Sequence, residues 1–386
     1  MDDISELQIL PPIVPIEQSE TEDAVLIAKN LENVRIIVSV GLALMLAFSL
    51  YWAISFVGDG GLSSVRPSNS ALEIQESYSE MVQFNEVELD GQGVSVCIVD
   101  SGIDLSHPDL SGLTLSGWSD FISQESEPYD DNGHGTSMAG ILVADGWMKG
   151  VAPEVELVVA KALSGNGTGD DGIVADAIDW CVEQDSHIIS LSLGGAPGLL
   201  PFNPFGGRDS SDAADDAIDQ GIVVIAAAGN DGGPDDDGDV AHPSSERLVI
   251  SVGGHTEDGS HWSGSSTGDN NGNLLPLILP RQDPHKKPEV VAPSKGVPVV
   301  NNDGTWSIVD GTSAATVFVT GAIALLLEAV PSLAANETSG SSASVVQIKQ
   351  ALMDTAKPLP GQDGHDDDYG YGMLQIENLI NSFAQE

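Results

Sequence analysis

Four short stretches of this 386-residue chain put reactive side chains at places where an element ends or begins. VDSGID (99–104) closes an apolar run on Asp100, and NGHGTSMAG (132–140) sets His134 between two glycines. IAAAGND (225–231) brings a second apolar run to Asn230, and DGTSAATVFVTG (310–321) places Ser313 at the head of a third. A carboxylate, an imidazole, a carboxamide and a hydroxyl are together the parts of nucleophilic acyl transfer. The hydroxyl attacks, the imidazole takes its proton, the carboxylate orients the imidazole, and the amide donates to the developing oxyanion. Each stretch alone also has a plainer reading. Asp, Gly and Asn mark turns, a histidine between glycines suits a surface turn, and Ser or Thr caps helices. The weight lies in the set: of eight histidines, only His134 has this context.

The elements that must hold these residues follow from the hydropathy pattern. Strand-like apolar runs occur at 94–99 (VSVCIV), 157–163, 187–193, 222–228 and 248–253. Helical windows fall between them at 172–184 and 209–220; a mostly buried helix follows Ser313, and two more lie near 344–356 and 374–383. Continuous apolar strands alternating with helices predict an α/β fold, a doubly wound and mainly parallel sheet with helices on both faces. In such sheets the functional groups gather at the carboxyl ends of the strands, where Asp100 and Asn230 fall. Ser313 at a helix N-terminus gains from free amides and the helix dipole. The two cysteines, Cys97 and Cys181, sit in one strand-like and one helix-like apolar segment and are expected as buried free thiols. There is no internal repeat.

Composition narrows the function classes. With 59 acidic and 13 basic residues the net charge is −46, which excludes nucleic-acid binding by phosphate neutralisation. Such a surface repels itself in dilute buffer, and at molar salt the screening length falls to about 3 Å, so the composition suits a salty setting. Acidic loops at Asp235–Asp239 and Asp366–Asp368 read as solvated surface, although oxygen-rich loops of this type suit structural calcium. Hydrophobic residues at 41% supply a substantial core.

Upstream, residues 36–57 carry no charge, and twenty-two helical residues span roughly 33 Å, enough to cross a bilayer core. A signal peptide fits poorly, because the preceding leader is 35 residues long and acidic. The expected organisation is an acidic tail (1–35) on the cytoplasmic side, a transmembrane helix (36–57), a polar linker (58–86) and a catalytic domain (87–386) outside the cytoplasm. Lys29 and Arg35 before the apolar segment, against Arg66 as the first basic residue beyond it, set that orientation. The sequence sets no oligomeric state.

Over residues 88–383 the chain resembles the subtilisin-like serine peptidases, the subtilases of peptidase family S8. IVDSGID is similar to the family's aspartate motif, NGHGTSMAG to its histidine motif, GTSAATVFVTG to its serine motif and AAAGN to the segment carrying its oxyanion asparagine. SLSLGG (190–195), KPEVVAP (287–293) and YGYGMLQIENLI (369–380) match further family segments. The resemblance implies a serine endopeptidase with Ser313 as nucleophile, His134 as general base, Asp100 as its orienting partner and Asn230 as oxyanion donor, with no cofactor needed for the chemistry. It also implies that an extended polypeptide substrate pairs between two segments. One contains Gly165 and Gly167; the other contains Ser192, Leu193, Gly194 and Gly195, with Ala228 and Gly229 flanking Asn230.

Three positions depart from the family's serine motif: Ala314, Val317 and Phe318 stand where methionine, proline and histidine are usual. The span from Gly58 to Asp90 is also too short for the folded inhibitory pro-region common in secreted members. The rival from another class is a catalytically silent subtilase-fold domain that binds polypeptides at the cell surface. An esterase or lipase would need the Gly-x-Ser-x-Gly elbow that is missing around Ser313.

Overall fold

Strands that are apolar along their whole length must be covered on both faces, and the computed structural model of the chain arranges them so. It describes residues 19–58, 66–195, 208–233, 238–272, 274, 278–334 and 341–384, which fall into two units divided after Gly58. In the second unit β1 (Ser95–Asp100), β2 (Gly117–Asp120), β3 (Glu156–Lys161), β4 (Ile188–Leu191), β5 (Val223–Ala227), β6 (Ile250–His255) and β7 (Val290–Pro293) form one sheet. Their spatial order is β2-β3-β1-β4-β5-β6-β7 and every pairing is parallel. Every residue of β1, β4, β5, β6 and β7 is buried.

On one side, α3 (His134–Val143) packs with α6 (Thr312–Ala329), which lies along β4 to β7. On the other, α4 (Asp171–Glu183) packs with α5 (Ser210–Asp219) against β1, β3 and β5. Helix α6 is apolar enough to cross a membrane, with mean hydropathy 1.6, but its stripe is 89% buried and it is the core helix of this unit. A hairpin of β8 (Val297–Val300) and β9 (Trp306–Val309) and two outer helices, α7 (Ser342–Thr355) and α8 (Ile376–Phe383), complete it. The helix ending on Gly58, α1 (Ser19–Gly58), belongs to the first unit, and α2 (Asn69–Met81) opens the second.

Three expectations change. Cys97 in β1 and Cys181 in α4 form a disulfide, with Cα atoms 5.8 Å apart, instead of two free thiols. Packing of α4 onto β1 brings together residues 84 apart in sequence, a contact that spacing cannot disclose. The stretch 58–86, read as a linker, carries α2, whose N-cap Ser68 accepts a hydrogen bond from the Ala71 amide at 3.1 Å. Tyr78 and Val82 are buried in the core, and the Val82 carbonyl accepts from the Ile376 amide at 2.8 Å. The folded unit therefore begins by residue 69 and not at 87; the polar outer face of α2 is what made it read as linker.

The third change concerns the apolar helix. α1 starts at Ser19, so the acidic segment runs into the apolar one without a break at residue 36. Its stretch Lys29–Tyr51 has mean hydropathy 2.1 and no buried residue, the character of either a membrane anchor or a signal helix.

Candidate active site

The site is assembled from the carboxyl ends of the strands and the N-termini of the two helices that pack together on one face. Asp100 is the last residue of β1 and is fully buried. The chain turns at Gly102, with φ +114°, where a Cβ would lie 2.0 Å from the Tyr129 carbonyl oxygen. Gly135 presses just as closely, since its Cβ would stand 2.1 Å from the Gly102 carbonyl. Only residues without side chains let the loop after β1 lie against the first turn of α3. That approach puts His134 Nδ1 at 2.8 and 2.9 Å from the two Asp100 carboxylate oxygens.

A second carboxylate anchors this turn. Asp130 accepts from the amides of Asn132 (3.0 Å), Gly133 (2.8 Å) and Thr136 (2.9 Å), and from the hydroxyls of Thr136 (2.6 Å) and Ser101 (2.9 Å). Ser101 in turn accepts from the Gly135 amide at 2.9 Å, and the Ser101 amide donates to Asp100 at 2.7 Å. Burial alone would raise the Asp130 pKa, but the Thr136 hydroxyl and the Gly133, Thr136 and Asn132 amides outweigh it and hold the carboxyl below its usual range. Asp130 and Ser101 thus position both members of the Asp100–His134 pair. Neither was singled out from the sequence; the only signal was the polar run Asp-Asp-Asn ahead of Gly-His. Buried Lys161 ties the same loop to β3, its ammonium donating to the Ser101 carbonyl at 2.5 Å and to Asp131 at 2.6 Å.

The charge on Asp100 raises the His134 pKa; burial opposes this, and the hydrogen bond to Asp100 with the more distant Asp130 charge adds to the rise. The His134 side chain keeps about a third of its surface open, 34%, and lines the same cleft as Ser313.

Ser313 is the second residue of α6, whose N-cap is Gly311 and has no side-chain cap bond. It is not a cap. Its hydroxyl donates to the Ser192 carbonyl at 3.0 Å, and the Ser192 hydroxyl donates back to the Ser313 carbonyl at 3.0 Å. The pairing locks the carboxyl end of β4 to the head of α6. Ser313, His134 and Asn230 line a single cleft of about 390 Å³. The hydroxyl faces Ser192. Catalytic hydrogen bonds commonly tighten only when substrate is bound.

Asn230 lies past the end of β5, exposed to solvent, with its amide fixed by the residue before the serine. Its Oδ1 accepts from the Thr312 amide at 2.9 Å and lies 2.9 Å from the Thr312 hydroxyl, which leaves the NH₂ group for the cleft. Thr312 is itself buried and held by Gly229, whose amide is 3.2 Å and whose carbonyl is 3.1 Å from the same hydroxyl. Thr312 is a positioning residue that sequence reading passed over; its place in Gly-Thr-Ser was the available clue.

The segments expected to hold substrate are gathered around this centre. Ser192, Leu193, Gly194 and Gly195 follow β4, and Gly195 makes an antiparallel bridge to His242. Gly165 and Gly167 sit in the turn after β3, where the Gly165 carbonyl accepts from Asn132 Nδ2 at 3.1 Å. Ala228 is buried with its amide on the Val252 carbonyl, and Gly229 leads into Asn230. None of these residues lines the cleft shared by His134 and Ser313.

Described carboxylates of the acidic loops are engaged within the protein. Asp239 pairs with Arg281 at 2.6 Å, the Asp366 carboxylate accepts the amides of Asp368 and Tyr369, and Asp367 accepts from Asn270. Asp235, Asp236 and Asp237 lie outside the described residues. Among the described residues no three His, Cys, Asp or Glu side chains are grouped to hold a metal ion.

Residues 91–372 match the model of the subtilase family of peptidases. The chain belongs to that family. It is 33% identical to subtilisin DY of Bacillus licheniformis over 290 residues, which covers 74% of this chain and 90% of that one. It is 30% identical to the serine protease AprX of Bacillus subtilis (strain 168) over 334 residues, 79% of this chain and 70% of the other. A solved cold-adapted subtilisin-like serine proteinase shares the fold, with TM-score 0.57 and 24% identity over 75% of this chain and 91% of that one. This subtilase is a serine endopeptidase hydrolase with the subtilisin-like α/β fold.

Proposed function

We propose that the protein is a membrane-anchored subtilase that cleaves polypeptides outside the cytoplasm through Asp100, His134 and Ser313. Ser313 Oγ attacks the scissile carbonyl carbon as His134 Nε2 takes its proton, and the imidazolium returns that proton to the leaving amine. Asp100 fixes the tautomer with the proton on Nδ1 and stabilises the imidazolium. The Asn230 amide and the Ser313 backbone N–H donate to the tetrahedral oxyanion; one such donor is typically worth about 2.7–4 kcal/mol of transition-state stabilisation. Water then repeats the sequence on the acyl-enzyme. The observation that carries this reading is the Asp100–His134 pair at 2.8 Å on a cleft shared with Ser313 and Asn230.

The reading is tested by treating the protein with a fluorophosphonate probe and mapping the modified peptide by mass spectrometry. The expected adduct is on Ser313. One observation favours the second reading, a silent polypeptide-binding domain: the Ser313 hydroxyl is bound to Ser192 and not to His134. Absence of labelling at every salt concentration would establish that alternative.

Two observations support the location. The uncharged helix is long enough to cross a bilayer, and the Cys97–Cys181 disulfide belongs to the oxidising compartments outside the cytoplasm. The charge of −46 supports adaptation to salt. On α5, partial burial and then the charges of Glu246, Asp219, Asp212 and Asp216 push the Asp215 carboxyl up to about 6. Salt screens that repulsion. The melting temperature of the domain is therefore expected to rise from dilute buffer to molar NaCl, and a flat or falling midpoint would count against salt adaptation.

A further inference from the structure

The cleft that holds His134 and Ser313 continues on to the β8–β9 hairpin, and it contains none of the segments 163–169 or 192–195. The segments that the family resemblance implies for the extended substrate lie outside this cleft, so the cleft is left for the part of the polypeptide that they do not hold. Its polar lining can be followed group by group. Asn301 is satisfied within the hairpin, donating to Thr305 and accepting from Ser307, each at 2.8 Å. Asn132 accepts from the His134 amide and donates to Gly165, and the Ser137 hydroxyl donates to the Val300 carbonyl. Asp310 is occupied by Lys295 and by the Gly296 amide.

Two acceptors are left over. Asn302 uses its NH₂ group on the Asp130 carbonyl at 2.9 Å, and its Oδ1 has no partner among the described residues. Asp303 accepts the amide and hydroxyl of Thr305 on Oδ1, at 3.0 and 2.5 Å, and its other oxygen has no partner among the described residues. The same two bonds, the hydroxyl first, lower the Asp303 pKa and favour its ionised form. No lysine or arginine side chain lines the cleft. Beyond the catalytic His134 and Ser313 and the oxyanion donor Asn230, the side-chain groups left unengaged in the cleft are thus acceptors, one of them a carboxylate.

We propose that this cleft is the leaving-group subsite and that Asp303, with Asn302, selects peptides carrying Lys or Arg immediately after the scissile bond. The inference rests on the peptidase reading above. An exposed ion pair is worth up to about 1 kcal/mol, or roughly a fivefold preference in kcat/KM.

The test uses peptides identical except for Lys or Glu at the first leaving-group residue, with both cleavage rates measured on the same preparation. Wild type is expected to favour Lys by about fivefold in dilute buffer and by less at molar NaCl. Asp303→Asn should bring the ratio close to one, and Asp303→Lys should invert it in favour of Glu. The ratio within one variant does not depend on how much of that variant is folded, so loosening of the hairpin turn cannot produce an inversion. A wild-type ratio within about twofold of one, or a ratio that Asp303→Lys leaves in favour of Lys, overturns the proposal while peptide cleavage itself stands. If neither peptide is cut and the fluorophosphonate probe leaves Ser313 unmodified, the peptidase reading falls and this one with it.

Discussion

Replacing Ser313 with alanine is expected to lower kcat on a peptide substrate by about 10⁶-fold, the scale known for loss of the nucleophile or the base in this family. The neighbouring hydroxyls are engaged: that of Ser192 is buried and donates to the Ser313 carbonyl, and that of Ser137 donates to the Val300 carbonyl. The effect should not add to that of His134→Ala. Without a nucleophile the base has no proton to take, so the double variant should be no slower than either single one. A residual rate about 10³–10⁴ above water should survive through Asn230 and substrate binding. The fold should be nearly untouched. The Ser313 hydroxyl makes one hydrogen bond, to the Ser192 carbonyl, and a bond of that kind contributes about 1 kcal/mol. Steady-state kinetics beside a thermal melt separates these effects. Activity within tenfold of wild type would remove Ser313 from the mechanism.

Asp100→Asn is expected to cost about 10⁴-fold in kcat and to move the pH profile as well. In the parent chain the Asp100 charge raises the His134 pKa above its ordinary value of 6.5. The working form is the neutral imidazole, so the acid limb of kcat/KM should lie above pH 6.5 and activity should rise as pH rises through it. Without the charge, burial is the strongest remaining influence on His134 and it lowers the pKa, so the limb should move to lower pH as the maximum falls. The rate falls because an asparagine facing Nδ1 can present its NH₂ group and select the tautomer with the proton on Nε2, where the base must be free. Stability should respond in the opposite sense to activity. A raised His134 pKa stabilises the fold below pH 6.5, and that contribution fades as pH rises through the folded value. Full kinetic profiles of both chains decide the matter. An acid limb that stays in place in Asp100→Asn would show that Asp100 does not set the His134 pKa.

Most of the sheet could be read from the chain because its strands are apolar throughout, and a run such as VSVCIV admits little besides a buried strand. The runs at 157–163, 187–193, 222–228 and 248–253 are β3, β4, β5 and β6, with each bound shifted by one or two residues. The strands β2, β7, β8 and β9 are not legible in the sequence: four residues fix no period, and unlike β4 none of them is marked by a longer apolar run. Helix α2 was missed for a different reason. Its buried residues, such as Ala71 and Tyr78, are too sparse within a polar stretch to outweigh the composition of that stretch.

The sequence by itself determined the chemistry on offer: Asp100, His134, Asn230 and Ser313 stand in motifs specific enough to name the family, and the apolar periodicity required a covered parallel sheet. What only the tertiary structure decided was which groups hold these four in place. Asp130 and Ser101 brace the Asp100–His134 pair, Thr312 turns the Asn230 amide, Ser192 holds the Ser313 hydroxyl, and Cys97 finds Cys181. The reason is physical. A reactive side chain is marked by its own type and by the turn or helix start next to it, both local in sequence. A positioning contact depends on how separate strands and helices pack, and no local pattern records the partner.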